Sequence, residues 1–561
     1  MLVKLSVDQA LIKAKSYAKK GEVAEAEKIY LSILKNFSKN QRALKGLASL
    51  NHVKGKNDSK GLPQEIINEL LKLLNKGDSS SVFHRSQILT KQYPDSFILW
   101  NIFGVSAAQL NKFEKAIEAF KKSISIKPNY AEAYNNLGNV LKDQGKLDEA
   151  INAYKKYISI VPNNAFAYYN LGNVLQKQDK FNYALNAYNE AIKINPKYAE
   201  AHFNLGVMLQ KQGKLKKAEE SFKKVVTLNP NYAAEAHFKL GFVLQKQGEL
   251  KRAVERYTNA ITLKLDYAEA YNNLGNTYKD LGQLKKAEAV FKQAIAIKPK
   301  YADAYWNLHG IQESIQDAEY WIDRCLASNF NHFAARLTKS ALRFYQGDRN
   351  SFDNLMQSKL KHHPLMRSFS WVFSLPKLPE LHFDKYYFFD NIIKKSITSK
   401  PFYEFGVWWG SSFKYLIKAF QKGYGFDTFT GLPEEWDVGS HIEKKGAYTS
   451  YGNIPKIKGG EFIIGKFEET LPIFFSEKRP VASVINFDAD LYSSTICALN
   501  FSKSIIDKDT ILIFDELITN ENWEQDEFRA LNDFCSMHNF SYEVIAVSFF
   551  SKQVAVKLIG I

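Results

Sequence analysis

The chain has 561 residues, too many for one compact core, and its 45% hydrophobic and 14% aromatic residues are those of a folded protein of two or more domains. Its three cysteines, Cys325, Cys497 and Cys535, are far apart and odd in number, which argues against a disulfide scaffold and favours a reducing compartment. The charged N-terminus is unlike a signal peptide, and no stretch approaches the ~18 apolar residues of a membrane span. We therefore expect a cytoplasmic protein without a transmembrane segment.

The net charge of +17 belongs to the N-terminal part of the chain. From Leu375 onward there are 20 Lys and Arg and 25 Asp and Glu, a net −5, so the preceding part carries +22. Such a surface suits an acidic partner, or it is simply a solvated, Lys-rich helical face. We favour the second interpretation and expect no nucleic-acid partner, because Lys outnumbers Arg and no aromatic-and-Arg pattern for base stacking is present.

A repeat of 34 residues runs through the first part of the chain. Glycine, alanine and proline recur together at this step, with one residue inserted at Ala233-Ala234 and Leu265 in place of one proline. The recurring residues are Gly104, Gly138, Gly172, Gly206, Gly241 and Gly275, Ala116, Ala150, Ala184, Ala218, Ala253 and Ala287, and Pro94, Pro128, Pro162, Pro196, Pro230 and Pro299. Repetition at this period is typical of helical repeat arrays.

One repeat, residues 131–164, predicts two helices that pack on each other. Tyr134 and Leu137 belong to the apolar stripe of the first helix, Gly138 lets the second helix approach closely, and Gly145 ends the first helix. Each pair leaves apolar surface that only a neighbouring pair covers, so we expect the units to stack.

These positions resemble the tetratricopeptide repeat (TPR) family, which implies an α-solenoid of helix pairs with a concave face that binds a protein or peptide partner. The clear repeats cover about 63–302, and the segment from Gly21 to Tyr30 looks like an earlier, degenerate unit. Residues 304–326, with His309 where the glycine should be, read as a capping repeat. We assign residues 1–328 to the repeat domain.

Asparagines at repeated positions are candidates for holding a ligand on the concave face, and the alternative is a polar, solvated inner face. They are Asn135, Asn136, Asn139, Asn170, Asn173, Asn204, Asn272, Asn273 and Asn276. Further helices are predicted after the repeats, in a linker or cap over residues 329–374 that leads into a proline-broken connector, LPKLPEL.

The last part of the chain, residues 375–561, has a different pattern. Short apolar runs alternate with helical stretches from Pro401 onward, which predicts an α/β doubly wound, mostly parallel sheet. The two final strands have no helix between them and predict an antiparallel hairpin at the sheet edge. In such a sheet a ligand binds beyond the carboxyl ends of the strands, and each motif below falls at one of those ends.

The first motif is the segment EFGVWWG, where a strand runs into a turn that opens a helix. Gly406 lets the backbone approach a ligand and Gly410 permits the tight turn, although the G-x-G-x-x-G of dinucleotide folds is absent. Glu404 is costly to bury without a cation, and a sulfonium or α-amino group would serve. Asp427 ends the next strand, where it either accepts hydrogen bonds from ribose hydroxyls or caps a turn.

The richest motif is a set of carboxylates. Asp488 and Asp515 are 27 residues apart with one helix between them, which places both at the ends of neighbouring strands, and Glu516 adds a third acid. Three such groups repel one another unless a cation joins them, and Mg²⁺ suits oxygen ligands. Asp490 either contributes to this site or caps the following helix.

The segments EFGVWWGSS, GFDTFTGLPEEW, GKFEETLP, NFDADLYSST and IFDEL, in this order, are similar to the macrocin O-methyltransferase-like group of class I methyltransferases. The resemblance covers about Pro401 to the C-terminus and implies a Rossmann-like domain that binds S-adenosylmethionine and Mg²⁺. One departure is the Glu516-Leu517 pair, where the group often has a second aspartate and an aromatic residue. The residues implicated are Glu404, Gly406, Gly410, Asp427, Phe467 and Glu468 for the cofactor and Asp488, Asp515 and Glu516 for the metal.

The reaction implied is methyl transfer to a hydroxyl of a sugar or glycoconjugate. Mg²⁺ would hold a vicinal diol and lower the hydroxyl pKa, while a base removes the proton. Asp488 is the first candidate for this base and His441 the second. His441 lies in a long segment, from Gly431 to Gly460, that we expect to act as a substrate lid. Three tryptophans form either a sugar-facing wall or core: Trp408, Trp409 and Trp436.

Two other functions fit parts of the pattern. Asp488-Ala489-Asp490 is a D-x-D sequence, as in metal-dependent glycosyltransferases, but that function leaves the Glu404–Gly410 turn unexplained. The chain is alternatively a scaffold with an inactive methyltransferase-like domain, against which the complete set of acids argues. Nucleic-acid methylation is disfavoured, because the enzyme domain is acidic and has no N/D-P-P-Y/F motif.

Overall fold

A computed structural model describes residues 7–20, 22–36, 40, 42–43, 45–46 and 62–560. The chain forms two compact units, Met1–Gln212 and Gly213–Ile561. Gly21, the first residue of the degenerate repeat that we predict, lies outside the described residues. Within the described part, the first unit contains the helices α1 (Val7–Lys19), α2 (Val23–Asn36), α3 (Gln64–Asn75), α4 (Ser79–Gln92), α5 (Phe97–Gln109), α6 (Phe113–Ile126), α7 (Ala131–Asp143), α8 (Leu147–Ile160), α9 (Ala165–Lys177), α10 (Phe181–Ile194) and α11 (Ala199–Lys211).

The second unit begins with more repeat helices and ends with a sheet domain. Its helices are α12 (Leu215–Leu228), α13 (Ala233–Lys246), α14 (Leu250–Leu263), α15 (Ala268–Asp280), α16 (Leu284–Ile297), α17 (Ala302–His309), α18 (Ile315–Ser328), α19 (Phe333–Tyr345), α20 (Asn350–Met356), α21 (Pro364–Ser374), α22 (Lys385–Lys394), α23 (Ser411–Leu416), α24 (Phe467–Phe474), α25 (Tyr492–Ser502) and α26 (Glu527–His538). Its strands are β1 (Glu380–His382), β2 (Phe402–Phe405), β3 (Gly423–Asp427), β4 (Trp436–Asp437), β5 (Ile442–Glu443), β6 (Gly460–Ile464), β7 (Val484–Phe487), β8 (Ile511–Phe514), β9 (Ser541–Ser548) and β10 (Val554–Ile559).

In five helix pairs of the described repeats, an aromatic ring of the second helix packs on a glycine of the first. A Cβ added to Gly138 in α7 would lie 2.9 Å from the ring of Tyr154 in α8, and Tyr154 is fully buried. The close approach that we predict at this glycine is therefore confirmed. The same pairing recurs at Gly104 with Phe120, Gly172 with Tyr188, Gly241 with Tyr257 and Gly275 with Phe291.

The repeats give way to the predicted capping unit and to further helices. The first helix of the cap, α17, has only eight residues, and His309 at its end is buried against Trp306. The helices predicted between residues 329 and 374 are present as α19, α20 and α21. The connector that follows contains a strand, β1, which the sequence pattern does not predict.

The sheet domain contains an eight-stranded mixed sheet in the order β1-β9-β10-β8-β7-β2-β3-β6. The neighbouring strands β6, β3, β2, β7 and β8 are parallel, while β10 is antiparallel to both β8 and β9. The final antiparallel hairpin is therefore confirmed, but our prediction that it forms the edge of the sheet is wrong. Strand β1 pairs with β9 and forms that edge, which covers the outer backbone groups of β9.

Both faces of this sheet are covered. On one face Tyr403, Phe426 and Phe514 pack against helices α19 to α21 and α24 to α26. On the other face Phe402 and Ile513 pack against α22 and α23. Because both faces are buried, the central strands are almost continuously apolar. A polar residue within one of them is therefore unusual and is a candidate for a functional role.

No helix in the described ranges combines the length and the apolar character that crossing a membrane requires.

Candidate functional site

A cavity of about 390 Å³ lies at the carboxyl edge of the sheet. The parallel register of β3, β2, β7 and β8 brings the ends of these strands together, so the residues that follow each strand meet around one space. Seven of the nine residues that we predict for the cofactor and the metal line this cavity directly. They are Gly406, Asp427, Phe467, Glu468, Asp488, Asp515 and Glu516.

The turn after β2 is shaped by its neighbours. Gly406 has φ +90°, and a Cβ there would overlap the carbonyl oxygen of Asp488, so only glycine fits between the ends of β2 and β7. Asp427 holds the turn from the other side. Its Oδ2 accepts hydrogen bonds from the backbone N–H groups of Val407 (2.8 Å) and Trp408 (2.7 Å), and its Oδ1 accepts one from Phe429 (2.6 Å). Asp427 therefore caps turns and also faces the cavity.

Gly410 and Glu404, both predicted for the cofactor, do not line the cavity. Gly410 precedes α23 with φ +71° and packs near Pro455. Glu404 points into the sheet's second face, is only 1% exposed, and its Oε2 has no hydrogen-bond partner among the described residues. Burial raises the pKa of Glu404 well above its usual value, repulsion from Asp515 raises it further, and Lys385 acts in the opposite direction.

Asn486 is a second orphaned polar group beside Glu404. The two residues are direct partners in the parallel pairing of β2 and β7. Neither side-chain atom of Asn486 that can form a hydrogen bond has a partner in the described structure, although the residue is completely buried. Unsatisfied buried groups of this kind are rare and mark places where a ligand or water completes the structure.

The carboxylates beyond β7 and β8 are crowded. Burial and the repulsion from Asp515, Asp490 and Glu404 raise the pKa of Asp488 well above its usual range. The pKa of Asp490 is raised by burial and then by Glu516 and Asp515. A raised pKa suits a group that takes up a proton during a reaction.

A further acid, Glu527 at the start of α26, belongs to this group and was missed from the sequence. It is 1% exposed, and its Oε2 accepts a hydrogen bond from the backbone N–H of Glu516 (3.1 Å). Burial and then Asp490 raise its pKa well above the usual value. Glu527 follows no strand and belongs to no motif, so no sequence signal indicates it.

Two lysines and a glutamine supply part of the balancing charge and hydrogen bonds. Lys552, in the turn between β9 and β10, donates to Glu516 Oε1 (3.0 Å), and the neighbouring Gln553 donates to Asp515 Oδ1. Lys385, the first residue of α22, lines the cavity. Burial opposes its charge, but Tyr386 and the carboxylates around it outweigh this effect and raise its pKa.

These contacts bear on the predicted Mg²⁺ site. In the described part of the chain, no three His, Cys, Asp or Glu side chains are arranged so that they could hold a metal ion. Glu516 is turned to Lys552 and Asn520, while Asp515 accepts from Gln553. Two of the three predicted ligands are thus held by other side chains in this arrangement, and the Mg²⁺ site remains a prediction from the resemblance.

His441, the second candidate for the base, lies away from the cavity. It immediately precedes β5 in the small β4–β5 hairpin, is exposed, and its ring contacts Ser440 and Glu443 at 3.0 Å each. The segment from Gly431 to Gly460 nevertheless forms part of the cavity wall through Leu432 and Trp436.

All three predicted tryptophans line the cavity. Trp436 Nε1 donates to Asp526 Oδ2 (3.1 Å), which fixes its ring. The indole N–H groups of Trp408 and Trp409 are buried and have no partner within the described residues. The two rings therefore present an apolar face together with unused donors.

Part of the wall comes from the repeats, which sequence reasoning does not indicate. The residues Gln245, Gly248, Leu250 and Asp280 belong to α13, α14, α15 and the turn between α13 and α14. The Tyr386 hydroxyl donates to the Asp280 carbonyl oxygen (2.6 Å), a contact between residues 106 positions apart.

The repeated asparagines bind one another between neighbouring repeats. Asn136 donates to Asn101 (3.1 Å) and Asn204 to Asn173 (2.8 Å) in the first unit, and Asn307 donates to Asn272 (2.9 Å) in the second. Some of the repeated asparagines therefore form hydrogen bonds that connect adjacent repeats.

A protein-family model, the C-terminal domain of cilia and flagella-associated protein 70, matches residues 86–341. A peroxisomal targeting signal receptor of Candida albicans is 44% identical over 45 residues, which are 8% of this chain and 8% of that receptor. The aligned segment is thus a small part of both proteins. Together with the repeat geometry, the family match shows that the helical part of the chain is a TPR array, a type of structure that binds protein or peptide partners.

Solved structures of repeat proteins are also similar. YrrB, described as a TPR protein with an unusual peptide-binding site, is 28% identical; the match covers 34% of this chain and 97% of YrrB, with a TM-score of 0.31. The C-terminal part of a TPR repeat-containing protein from Cytophaga hutchinsonii is 17% identical, with 43% of this chain and 99% of that chain covered and a TM-score of 0.39.

Proposed function

We propose that the chain is an S-adenosylmethionine-dependent O-methyltransferase that acts on a hydroxyl of a sugar or glycoconjugate. The observation that carries this proposal is the cavity at the carboxyl edge of β3, β2, β7 and β8. Four groups meet around this cavity. They are the glycine turn at Gly406 after β2, Asp427 at the end of β3, Asp488 after β7 and Asp515 after β8.

The strand order supports a doubly wound, Rossmann-like domain. Strand β2 lies between β3, which follows it in the chain, and β7, which comes much later. The order therefore reverses at β2, and ligands of such sheets bind in the crevice at this reversal. Gly406 and the Asp488 carbonyl lie against each other at that point, which leaves room for a ligand above the turn.

Several cavity residues fit an adenosine and its sulfonium group. Phe467, the first residue of α24, lines the cavity and offers its ring as an apolar contact for the adenine. Asp427 already accepts three backbone hydrogen bonds, and a carboxylate has about four acceptor sites, so a ribose hydroxyl is an additional donor. The negative charge of the nearby acids favours a cationic sulfonium.

In the reaction, the methyl carbon bonds to the acceptor oxygen as its bond to sulfur breaks. The hydroxyl proton passes to a base, and the products are a methyl ether and S-adenosylhomocysteine. We propose Asp488 as this base, since it lines the cavity and its pKa is raised. The chain's main contribution is alignment of the two reactants.

The first experiment is calorimetric titration of the purified full chain with S-adenosylhomocysteine, with and without Mg²⁺. Micromolar affinity supports the cofactor assignment, and methyl transfer that requires Mg²⁺ would support the predicted metal site. Absence of binding under both conditions contradicts the proposal. A parallel titration with UDP-glucose and Mn²⁺ tests the glycosyltransferase alternative, which a positive result would favour.

We also propose that the repeats of the first unit bind a peptide through asparagine side chains. Asn135 Oδ1 and Asn170 Nδ2 are buried atoms without a hydrogen-bond partner in the described structure, and turning of the two side chains toward a bound peptide backbone satisfies both types of group. A peptide-library screen with the full chain should select ligands that the Asn170→Ala variant binds at least about tenfold more weakly. Equal binding by the variant would contradict this assignment.

A further inference from the structure

We infer that the repeats supply the acceptor-binding wall of the cavity, and that Asp280, Gln245 and Lys385 together bind adjacent hydroxyls of a polyhydroxylated acceptor. This inference rests on the proposed methyltransferase function. Asp280 and Gln245 lie in α15 and α13, within the repeats and more than 100 residues before the methyltransferase-like motifs begin at Pro401. Both nevertheless line the same cavity as Asp488.

The pair is held in position by its surroundings. Gln245 Nε2 donates to Asp280 Oδ2 (3.2 Å), and the buried Tyr257 donates from its hydroxyl to Gln245 Oε1 (3.1 Å). The Tyr386 hydroxyl holds the Asp280 backbone at its carbonyl oxygen (2.6 Å). The hydrogen bond from Gln245 occupies only one acceptor site of the Asp280 carboxylate. The remaining acceptor sites can accept hydrogen bonds from the hydroxyls of a ligand.

Lys385 is the third residue that we assign to acceptor binding, because it lies beside the same pair. It is adjacent to Tyr386, lines the cavity, and its charge interacts with the carboxylates of Asp280 and Asp488. The cavity therefore carries an ammonium donor between the repeat acid and the proposed base. A hydroxyl that donates to Asp280 and accepts from Lys385 uses both its donor and its acceptor. Two hydroxyls on neighbouring carbons of a sugar can share these partners in the same way.

The remaining wall favours a sugar over other ligands. The Trp409 indole lies directly on the backbone of Gly248, and its flat face suits the C–H surface of a pyranose ring. An anionic ligand would meet Asp280, Asp488 and Asp515 at short range. A purely apolar ligand would desolvate Asp280 and Lys385 without offering them hydrogen bonds in return, which is costly.

The repeat itself provides matched controls. Asp143 ends α7 in the segment AEAYNNLGNVLKD, and Asp280 ends α15 in AEAYNNLGNTYKD, so the two aspartates occupy equivalent positions. Gln176 is likewise equivalent to Gln245, because the Tyr188 hydroxyl donates to Gln176 Oε1 (2.8 Å) as Tyr257 does to Gln245. Neither control residue lines the cavity.

The test compares Asp280→Asn and Gln245→Leu with Asp143→Asn and Gln176→Leu in the full chain. Methyl transfer from radiolabelled S-adenosylmethionine is measured with methyl α-D-glucopyranoside, methyl α-D-mannopyranoside and methyl α-L-rhamnopyranoside. We expect the cavity variants to raise the acceptor KM by about tenfold or more, the effect of losing a hydrogen bond to a charged or fixed group. Their affinity for S-adenosylhomocysteine should stay within about twofold of the wild type, and the controls should match the wild type.

The outcomes are distinguishable. An unchanged acceptor KM in both cavity variants, or equal losses in the controls, overturns the inference. A wild type that binds S-adenosylhomocysteine but methylates none of the three glycosides overturns the polyol assignment while leaving the cofactor assignment of the proposed function standing. A wild type that does not bind S-adenosylhomocysteine rejects the proposed function itself. Thermal unfolding identifies a misfolded Asp280→Asn protein, in which case Gln245→Leu decides.

Discussion

The turns inside the repeats are alike in sequence and backbone, yet a turn of the first unit and a turn of the second have different surroundings. Gly145 in the first unit and Gly248 in the second have φ +75° and +73°. No atom of the described structure lies within 4 Å of a Cβ placed on Gly145, whereas a Cβ on Gly248 would overlap the Trp409 indole. At the next turn, Gly282, a Cβ would lie 3.2 Å from the Tyr386 ring.

A third aromatic contact follows at the cap. Phe550, in the loop between β9 and β10, packs on Gly310 and on the rings of Trp306 and His309. One aromatic side chain of the sheet domain therefore docks at each of three successive repeat turns. The same repeat turn is therefore open surface in one place and a contact site for an aromatic side chain in another. Which of the two it becomes depends on the segment of the chain that packs beside it.

The largest effect is expected where a glycine touches backbone rather than a side chain. Gly406→Ala places a methyl group on the Asp488 carbonyl in a left-handed conformation, which costs about 3 kcal/mol in strain and overpacking. We expect at least a ~100-fold loss of S-adenosylhomocysteine affinity by calorimetry. Gly452→Ala, at φ +77° with open space around it, is the control and should bind normally. Equal effects in both variants would reject a role for the Gly406 contact.

The comparison between the two units is tested by Gly248→Ala against Gly145→Ala. Both substitutions carry the same backbone strain of about 1 kcal/mol, because their φ values are nearly equal. Only Gly248→Ala also displaces the Trp409 ring, which adds roughly 1–3 kcal/mol. Thermal unfolding should show the larger drop in Tm for Gly248→Ala, and a similar drop in both variants would contradict the docking of Trp409 on this turn.

A smaller, pH-dependent effect is expected at Glu404. Its folded-state pKa is raised, so the native state is favoured below the unfolded pKa and loses this advantage as pH rises through the folded value. Glutamine does not ionise, and the ligand-free Glu404→Gln variant should therefore exceed the wild type in Tm by roughly 3 °C at pH 8. The difference should shrink toward pH 5, where the wild-type carboxyl is protonated. A difference independent of pH would show that packing, rather than ionisation, causes it.

The smallest effect concerns the hydroxyl of Tyr386. Tyr386→Phe removes the hydrogen bond to the Asp280 carbonyl, worth about 0.5–1.5 kcal/mol, and should lower Tm by roughly 2 °C. Tyr345→Phe is the matched control for stability, since its hydroxyl also donates to a backbone carbonyl, that of Pro379 (2.7 Å). We expect only Tyr386→Phe to raise the acceptor KM as well. An identical KM in the two variants would separate the Tyr386 contact from acceptor binding.

The features that depend on local pattern could be predicted from the amino-acid sequence. The 34-residue step, with glycine opposite an aromatic ring in the next helix, is sufficient for the helix pairs, because each pair buries the same surface against its neighbour. The motifs after β2, β3, β7 and β8 were found because parallel strands must end at one edge, which brings Gly406, Asp427, Asp488 and Asp515 together.

Tertiary structure alone decided the rest. Strand β1 covers β9, Lys552 and Gln553 reach the acids beyond β8, and Asp280 meets Tyr386 across 106 residues. None of these contacts leaves a periodic or local trace in the sequence, because each depends on how distant segments pack. The prediction for His441 shows the opposite case. Its residue type and its place in the predicted lid suggested a base, but the β4–β5 hairpin holds it against Glu443, outside the cavity.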